Sequence, residues 1–96
     1  MLKVAKFGGS SMADAAQIRK VCAIIRSDEA RKIIVVSAAG KRSRDDHKIT
    51  DLLYLCYAHI KYGVSCKEIF EQVKQRYLDI RDELGLTTPL EAEFDA

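Results

Sequence analysis

The amino-acid sequence predicts an α/β fold that begins with a strand–helix–strand unit on a parallel sheet and continues as helices. Three observations predict it. An apolar segment at residues 2–7 stops at a glycine pair, a continuous β-branched run occupies residues 33–36, and apolar residues recur at helical spacing between the two. The chain has 96 residues, 48% hydrophobic and 31% charged, a composition typical of a globular domain and too apolar for disorder.

The first strand is predicted over residues 2–7, because a Gly-Gly-Ser-Ser segment follows it. A helix should then run from about residue 12 to 27. Its start is predicted from Ser11 and Asp14, which have the spacing of a capping box. The apolar face of this helix consists of Ala15, Ile18, Val21, Cys22 and Ile25.

The second strand is predicted at residues 33–36, and its uninterrupted apolar run favours burial on both faces. The order strand, helix, strand defines a βαβ unit. It places two loops, residues 8–11 and 38–48, at the carboxyl ends of the strands, the edge at which open α/β sheets bind ligands.

Helices are predicted for the remainder of the chain. Thr50 is positioned to cap a helix over residues 51–62, which Gly63 ends; this helix is apolar on most sides and is expected to be well buried. Ser65 and Glu68 form a second capping box, and Gly85 is placed to end the helix that they open. The apolar face predicted for this helix consists of Ile69, Phe70, Val73, Tyr77, Ile80 and Leu84.

A further helix start is predicted at Thr88, with Pro89 at the first helical position and Glu91 as the capping glutamate. Two strands cannot cover a sheet flanked by helices, and two-stranded units are marginal. We therefore expect residues 1–96 to be the front part of a larger α/β protein.

Charge, hydropathy and cysteine content exclude several classes of protein. The formal net charge of +2 is too small to indicate nucleic-acid binding. No apolar run approaches the ~20 residues of a membrane span, and no signal peptide is recognisable. Three cysteines without a CxxC motif favour reduced thiols in the cytoplasm. The charge is uneven: residues 79–96 hold one base and six acids, which leaves residues 1–78 basic.

The glycine-rich segment is the principal candidate site. Lys6 precedes Gly8 and Gly9 where a strand leads into a helix, and backbone N–H groups, a helix dipole and a lysine together favour an anion such as phosphate. Glycines there would permit positive φ and close approach of a ligand. A simple tight turn explains the same residues. The segment is neither a Walker loop nor a GxGxxG motif.

Three motifs in order resemble those of the aspartokinases, members of the amino acid kinase family. They are VAKFGGSSM at residues 4–12, VVSA at residues 35–38 and ITDLL at residues 49–53. The resemblance is clear to about Tyr57 and looser beyond it. It implies a three-layer, carbamate-kinase-like α/β/α domain, of which this chain would be the incomplete N-terminal part.

The resemblance also implies an activity, namely transfer of a phosphoryl group from ATP with Mg²⁺ to the side-chain carboxylate of L-aspartate. The product would be 4-phospho-L-aspartate, the first step toward lysine, threonine and methionine. It further implies a cytoplasmic homo-oligomer with no nucleic-acid or membrane partner. The chain alone is expected to be inactive, because other parts of the family's active centre would lie beyond Ala96.

The roles of individual residues follow from the same resemblance. Lys6 would neutralise charge on the transferred phosphoryl group. The ATP phosphates would be cradled at Gly8 and Gly9, with Phe7, Ser10 and Ser37 in the same contact. Thr50 would help to bind aspartate. The motifs assign no metal ligand in this chain.

Several alternatives remain open from the sequence. Residues 41–48 carry four bases and two acids and could be a lid that attracts substrate or a solvated loop. Cys56, His59 and Cys66 lack a fourth partner for zinc and are interpreted as packed or rim side chains, as are the tyrosines. The function could also be that of another amino acid kinase, or of a non-catalytic phosphate-binding or assembly module.

Overall fold

The computed structural model describes residues 1–95, which form two compact units. The first unit, residues 1–48, contains strand β1 (Lys3–Phe7), a 3₁₀ helix (Gly9–Met12), helix α1 (Ala15–Arg26) and strand β2 (Arg31–Val36). The second unit begins at Ile49 and contains three helices, α2 (Ile49–Lys61), α3 (Lys67–Glu83) and α4 (Glu91–Asp95). The α/β class predicted from the sequence is confirmed.

The two strands of the first unit pair in parallel. Val4 lies opposite Ile33 and Phe7 opposite Val36, with an irregularity in the register between Lys3 and Val4. Since α1 connects two adjacent parallel strands, the predicted βαβ unit is confirmed.

The start of α1 differs from the prediction. The helix begins at Ala15 because the Asp14 carboxylate accepts the backbone N–H of Gln17 at 2.9 Å, which makes Asp14 the N-cap. Ser11 instead belongs to the preceding 3₁₀ helix, where its N–H donates to the Gly8 carbonyl at 3.1 Å. The capping box predicted for Ser11 and Asp14 is therefore wrong.

Strand β2 is not buried on both faces as predicted. Ile33, Val35 and Val36 are about half exposed, and Ile34 is the least exposed of the four apolar residues. A parallel strand is buried on both sides only where helices flank the sheet on both sides. The first unit supplies one α-helix, so the face that carries Val4, Ile33 and Val35 stays exposed.

The helix ends predicted at Gly63 and Gly85 are confirmed. Gly63 and Gly85 have φ of 71° and 72°, a left-handed conformation that glycine adopts without a side-chain penalty. Each forms a Schellman motif: Val64 N–H donates to the His59 carbonyl, and Leu86 N–H to the Arg81 carbonyl.

The starts of α2 and α3 were predicted less well. Thr50 lies inside the first turn of α2, which begins at Ile49, so the predicted N-cap role of Thr50 is wrong. Cys66 occupies the N-cap of α3 without a side-chain cap. Ser65 Oγ accepts the N–H of Lys67 at 3.3 Å, two residues on, so the predicted capping box with Glu68 does not form.

Helix α3 buries the face predicted for it. Ile69, Val73 and Ile80 are buried at helical spacing, and Arg76 continues the same stripe at 4% exposure. Helix α4 packs on this helix through Phe94, whose ring centroid lies 6.1 Å from those of both Phe70 and Tyr77.

The expectation that α2 is well buried is wrong. Its buried residues are Ile49, Leu52 and Cys56, one stripe of the helix. The apolar side chains that remain exposed are Leu53, Tyr54, Leu55, Tyr57 and Ile60. A helix that packs against one main neighbour buries one stripe, and within the second unit that neighbour is α3.

The last helix begins at Glu91, later than the predicted start at Thr88. The Arg81 guanidinium donates to the Thr88 carbonyl at 3.1 Å and to the Glu91 carboxylate at 2.8 Å. These contacts use the carbonyl that an N-cap at Thr88 would give to the helix, and the carboxylate that would cap it.

Within residues 1–95, no helix is long and apolar enough to cross a membrane.

Replacing Gly85 with alanine should destabilise the protein by about 1 kcal/mol, because the left-handed backbone brings Cβ against the following carbonyl. Gly85→Asn is the matched control, since asparagine tolerates this conformation better than alanine does. Urea unfolding of the three proteins measures the difference. Equal free energies of unfolding for the glycine and alanine forms would contradict the assignment.

Acid should weaken the ion pair that holds the start of β1. The Lys3 ammonium beside Asp28 lowers the pKa of that carboxyl below its ordinary value of 3.8, so its stabilising contribution is present above that value and is lost as the pH falls through the lowered pKa. Asp28→Asn keeps the side-chain oxygen that accepts the Ala30 N–H but removes the charge. The urea midpoints of parent and variant should differ at neutral pH and converge in acid. A gap independent of pH would contradict the prediction.

Candidate functional site

The loop after β1 is open at its first glycine. Gly8 has φ −76° and ψ 178°, and a Cβ built on it would meet nothing within 4 Å. Neither Gly8 nor Gly9 has a positive φ, so that part of the sequence prediction is wrong. What glycine provides at Gly8 is backbone that a ligand can approach without meeting a side chain.

Gly9, the second glycine, is in contact with Gly40 in the loop after β2, where only glycine fits. The Gly40 N–H donates to the Gly9 carbonyl at 2.8 Å. A Cβ on Gly40 would lie 2.5 Å from the Gly9 carbonyl carbon and 2.8 Å from the Ser10 nitrogen, distances that the backbone cannot accommodate. The two loops predicted to share the carboxyl edge of the sheet are therefore in direct backbone contact.

Ser37 joins these loops from the end of β2. Its N–H donates to the Phe7 carbonyl at 3.1 Å, which extends the strand pairing by one bond. Its exposed hydroxyl donates to the Ala38 carbonyl at 2.9 Å and lies 3.5 Å from the position of a Cβ on Gly9. Ser37 thus lies beside the glycine loop.

Lys6 supplies a positive charge one residue before the end of β1. Its side chain is exposed and lies opposite Val35 in the parallel register. Among residues 1–95, no carboxylate forms an ion pair with Lys6, so a bound anion would not compete with an internal partner. Phe7 is half-buried and Ser10 is exposed.

The glycine loop does not lead directly into α1. It leads into the 3₁₀ helix, and the amino end of α1 is capped by the Asp14 carboxylate. A contribution of the helix dipole to anion binding at this loop stays a prediction.

Thr50 belongs to the second unit. It is exposed in the first turn of α2 and lines a depression of about 560 Å³. The other lining residues are Leu53, Tyr54 and Tyr57, all on the same helix. The second unit therefore surrounds Thr50 with apolar and phenolic groups and brings no basic side chain to this depression.

The basic segment 41–48 contains an ion pair between two of its own residues, Arg42 and Asp46. Arg42 donates from Nε and from its backbone N–H to one oxygen of Asp46, at 2.7 and 2.9 Å, and from Nη2 to the other oxygen at 3.1 Å. These bonds hold the Arg42 guanidinium against another residue of the same loop. This favours the structural interpretation of Arg42.

The cysteines and histidine set aside from the sequence do not form a metal site in the part of the chain that the structure describes. No group of three or more His, Cys, Asp or Glu side chains among residues 1–95 is placed to hold an ion. Burial raises the pKa of the Cys56 thiol.

Sequence reasoning missed the part that Gly40 plays. The structure makes Gly40 the residue on which the approach of the two loops depends. Ala39 and Gly40 are buried although they lie in a loop. The run of small residues at 38–40, directly after a strand, is the signal that could have indicated a close backbone contact.

The sequence profile of the amino acid kinase family matches residues 1–87, which covers both loops and most of the second unit. The chain belongs to the amino acid kinase family.

Two aspartate kinases are among its relatives. Aspartokinase 3 of Bacillus subtilis (strain 168) is 49% identical over 85 residues, which cover 88% of this chain and 19% of that protein. The crystal structure of Clostridium acetobutylicum aspartate kinase matches with a TM-score of 0.91 at 49% identity, over 96% of this chain and 21% of that one. The chain thus spans about one fifth of the length of these relatives.

Two glycine-to-alanine substitutions should separate the close contact at Gly40 from the open surface at Gly8. Gly40→Ala forces the loops apart and should lower the free energy of unfolding by about 1–3 kcal/mol. Gly8→Ala meets open space at an ordinary φ, so stability should change by no more than about 0.5 kcal/mol. Urea unfolding of the parent chain and both variants measures the difference. Equal losses of stability in the two variants would contradict the assignment.

Proposed function

We propose that residues 1–96 are the N-terminal part of the catalytic domain of an aspartate kinase. The observation that carries this proposal is the 49% identity to aspartate kinases across a segment that includes the Lys6 glycine loop. The reaction is transfer of the terminal phosphoryl group of ATP to the side-chain carboxylate of L-aspartate, which yields 4-phospho-L-aspartate.

Phosphoryl transfer depends mainly on positioning and on stabilising the charge of the equatorial oxygens. In the proposal, Lys6 supplies that charge from the end of β1. The backbone at Gly8 and Gly9, with Phe7 and Ser10 beside it, holds the phosphates. The open surface over Gly8 and the absence of an ion-pair partner for Lys6 within residues 1–95 support these roles.

Ser37 and Thr50 have separate roles in this proposal. The Ser37 hydroxyl, next to Gly9, contacts the phosphate chain of ATP. Thr50, exposed near the start of α2, contacts L-aspartate through its hydroxyl. Because the charged groups of aspartate need basic partners, we assign those partners to other parts of the longer protein.

Mg²⁺ would reach the site on the phosphates of ATP. This ion retains several waters and is commonly bound by substrate phosphates with one or two carboxylates, so it does not need a dedicated protein cage. Residues 1–95 contain no cluster of three or more acidic, His or Cys side chains suited to an ion. We therefore assign no Mg²⁺ ligand and no catalytic step through the ion to this chain.

We further propose that the longer enzyme is a cytoplasmic homo-oligomer. None of the three cysteines forms a disulfide, which is consistent with a reducing compartment. The apolar side chains left exposed on α2 and on the outer face of the sheet give surface for association with the rest of the enzyme or with a second subunit.

A chimaera tests the activity. The matching 85-residue segment of Bacillus subtilis aspartokinase 3 is replaced by this chain, and acyl phosphate is trapped with hydroxylamine in the presence of ATP and L-aspartate. We expect turnover by the chimaera. Lys6→Ala should lower kcat by about 10²-fold or more, because it removes a charge that acts in the transition state. The 96-residue chain alone should release no ADP in response to aspartate.

Lys20→Ala is the matched control, since it removes an equal charge from the exposed surface of α1. Its kcat should equal that of the parent chimaera. An active chimaera that retains full kcat with Lys6→Ala would contradict the role of Lys6. A folded but inactive chimaera would favour the non-catalytic module, and a preference for glutamate over aspartate would favour another amino acid kinase.

A further inference from the structure

The loop after β2, residues 37–48, has no helix or strand of its own, yet it takes part in the closest backbone contact of the first unit. Near its start, the Gly40 N–H donates to the Gly9 carbonyl at 2.8 Å, and a Cβ on Gly40 would lie 2.5 Å from the Gly9 carbonyl carbon. A segment without secondary structure has many conformations open to it. Other contacts within the loop must therefore hold Gly40 in place.

Asp46 supplies three such contacts, all of them to Arg42. Its Oδ2 accepts the backbone N–H of Arg42 at 2.9 Å and Nε at 2.7 Å, and its Oδ1 accepts Nη2 at 3.1 Å. The Asp46 N–H donates in turn to the Ser43 carbonyl at 3.2 Å. Because one bond of the carboxylate goes to the backbone of Arg42, Asp46 fixes the path of the chain two residues after Gly40.

Exposure shows which member of the pair is the anchor. The side chain of Asp46 is 13% exposed and that of Arg42 is 47% exposed. A carboxylate that is largely covered needs hydrogen bonds in place of water, and bonds from a guanidinium are among the strongest. The neighbouring charges of Arg44 and Asp45 are exposed and form no ion pair in the described part of the chain. Of the two carboxylates in residues 41–48, Asp46 is thus the one that holds the loop.

We propose that Asp46 is a positioning residue for ATP binding, an inference that rests on the function proposed above. By holding Arg42, it fixes the segment in which Gly40 meets Gly9, and it thereby fixes the glycine loop that receives the phosphates. Lys6 does not depend on these contacts, because strand pairing holds β1. Loss of Asp46 therefore weakens ATP binding and leaves the charge that Lys6 supplies to the reaction unchanged.

A direct role of Arg42 in attracting ATP leads to the opposite expectation. In that case Asp46 competes with ATP for the guanidinium, and removal of Asp46 strengthens ATP binding. In the proposal, removal of Asp46 weakens it. The sign of the change in KM for ATP therefore separates the two roles of this loop.

Steady-state kinetics of the Bacillus subtilis chimaera described above test the proposal. Asp46→Ala removes three bonds and should raise KM for ATP about 10-fold, with kcat within about twofold of the parent. Arg42→Ala removes two bonds and keeps the backbone N–H, so its KM should rise less. The double variant should match Asp46→Ala, because both residues act through the same bonds. Asp46→Asn keeps one oxygen for the backbone of Arg42 and should lie between the parent and Asp46→Ala.

Arg44→Ala and Asp45→Ala are the matched controls, since each removes an exposed charge of the same sign from the same loop. Both should keep the KM of the parent. The proposal is overturned if KM for ATP falls or stays unchanged in Asp46→Ala, if the change lies in kcat alone, or if the effects of Asp46→Ala and Arg42→Ala add in the double variant.

Hydrogen exchange of the Gly40 N–H, followed by NMR in the 96-residue chain, gives a readout that needs no turnover. Asp46→Ala should accelerate this exchange by about 10-fold or more, because the contact with Gly9 opens more often. Asp45→Ala should leave the exchange rate unchanged. Equal rates in the parent and Asp46→Ala would overturn the positioning role. An inactive parent chimaera would instead count against the proposed function, and the exchange measurement would still decide the role of Asp46.

Discussion

The first unit depends on one backbone contact, in which the Gly40 N–H donates to the Gly9 carbonyl with no room for a side chain on Gly40. This contact brings the loops after β1 and β2 together at the carboxyl edge of the sheet. Because of it, Ser37 lies next to the glycine loop. A Cβ on Gly8 would meet nothing within 4 Å, so the loop stays open beside this junction.

Helix ends were predicted from the sequence more accurately than helix starts, for a physical reason. A left-handed residue at a helix end selects glycine strongly, and both Gly63 and Gly85 have that conformation. At a helix start, several polar residues close together can accept the free N–H groups. Asp14 does so in place of Ser11, and the pairing of Arg81 with Glu91 moves the start of α4 away from Thr88.

Burial was predicted correctly only where a partner element lies within the same unit. The stripe on α3 was correct because α2 and α4 pack on that helix. The apolar runs of β2 and α2 indicate that these residues favour burial. The periodicity of a sequence, however, does not show which element covers them. Likewise, the motif around Lys6 was recognisable because its residues are consecutive in the sequence. The contact between Gly9 and Gly40 joins residues far apart in sequence, and the run of small residues at 38–40 is the only sequence feature that indicates it.

The position of Lys6 on the outer face of the sheet has a consequence apart from chemistry. It is flanked along its strand by Val4 and across the sheet by Val35, both about half exposed or more. A lysine in the middle of this apolar face disfavours a purely apolar surface packing on it, because that contact would bury an ammonium without a counter-ion. One side chain thus limits which surfaces can cover this face. A neutral residue in place of Lys6 would leave an uninterrupted apolar face that favours aggregation.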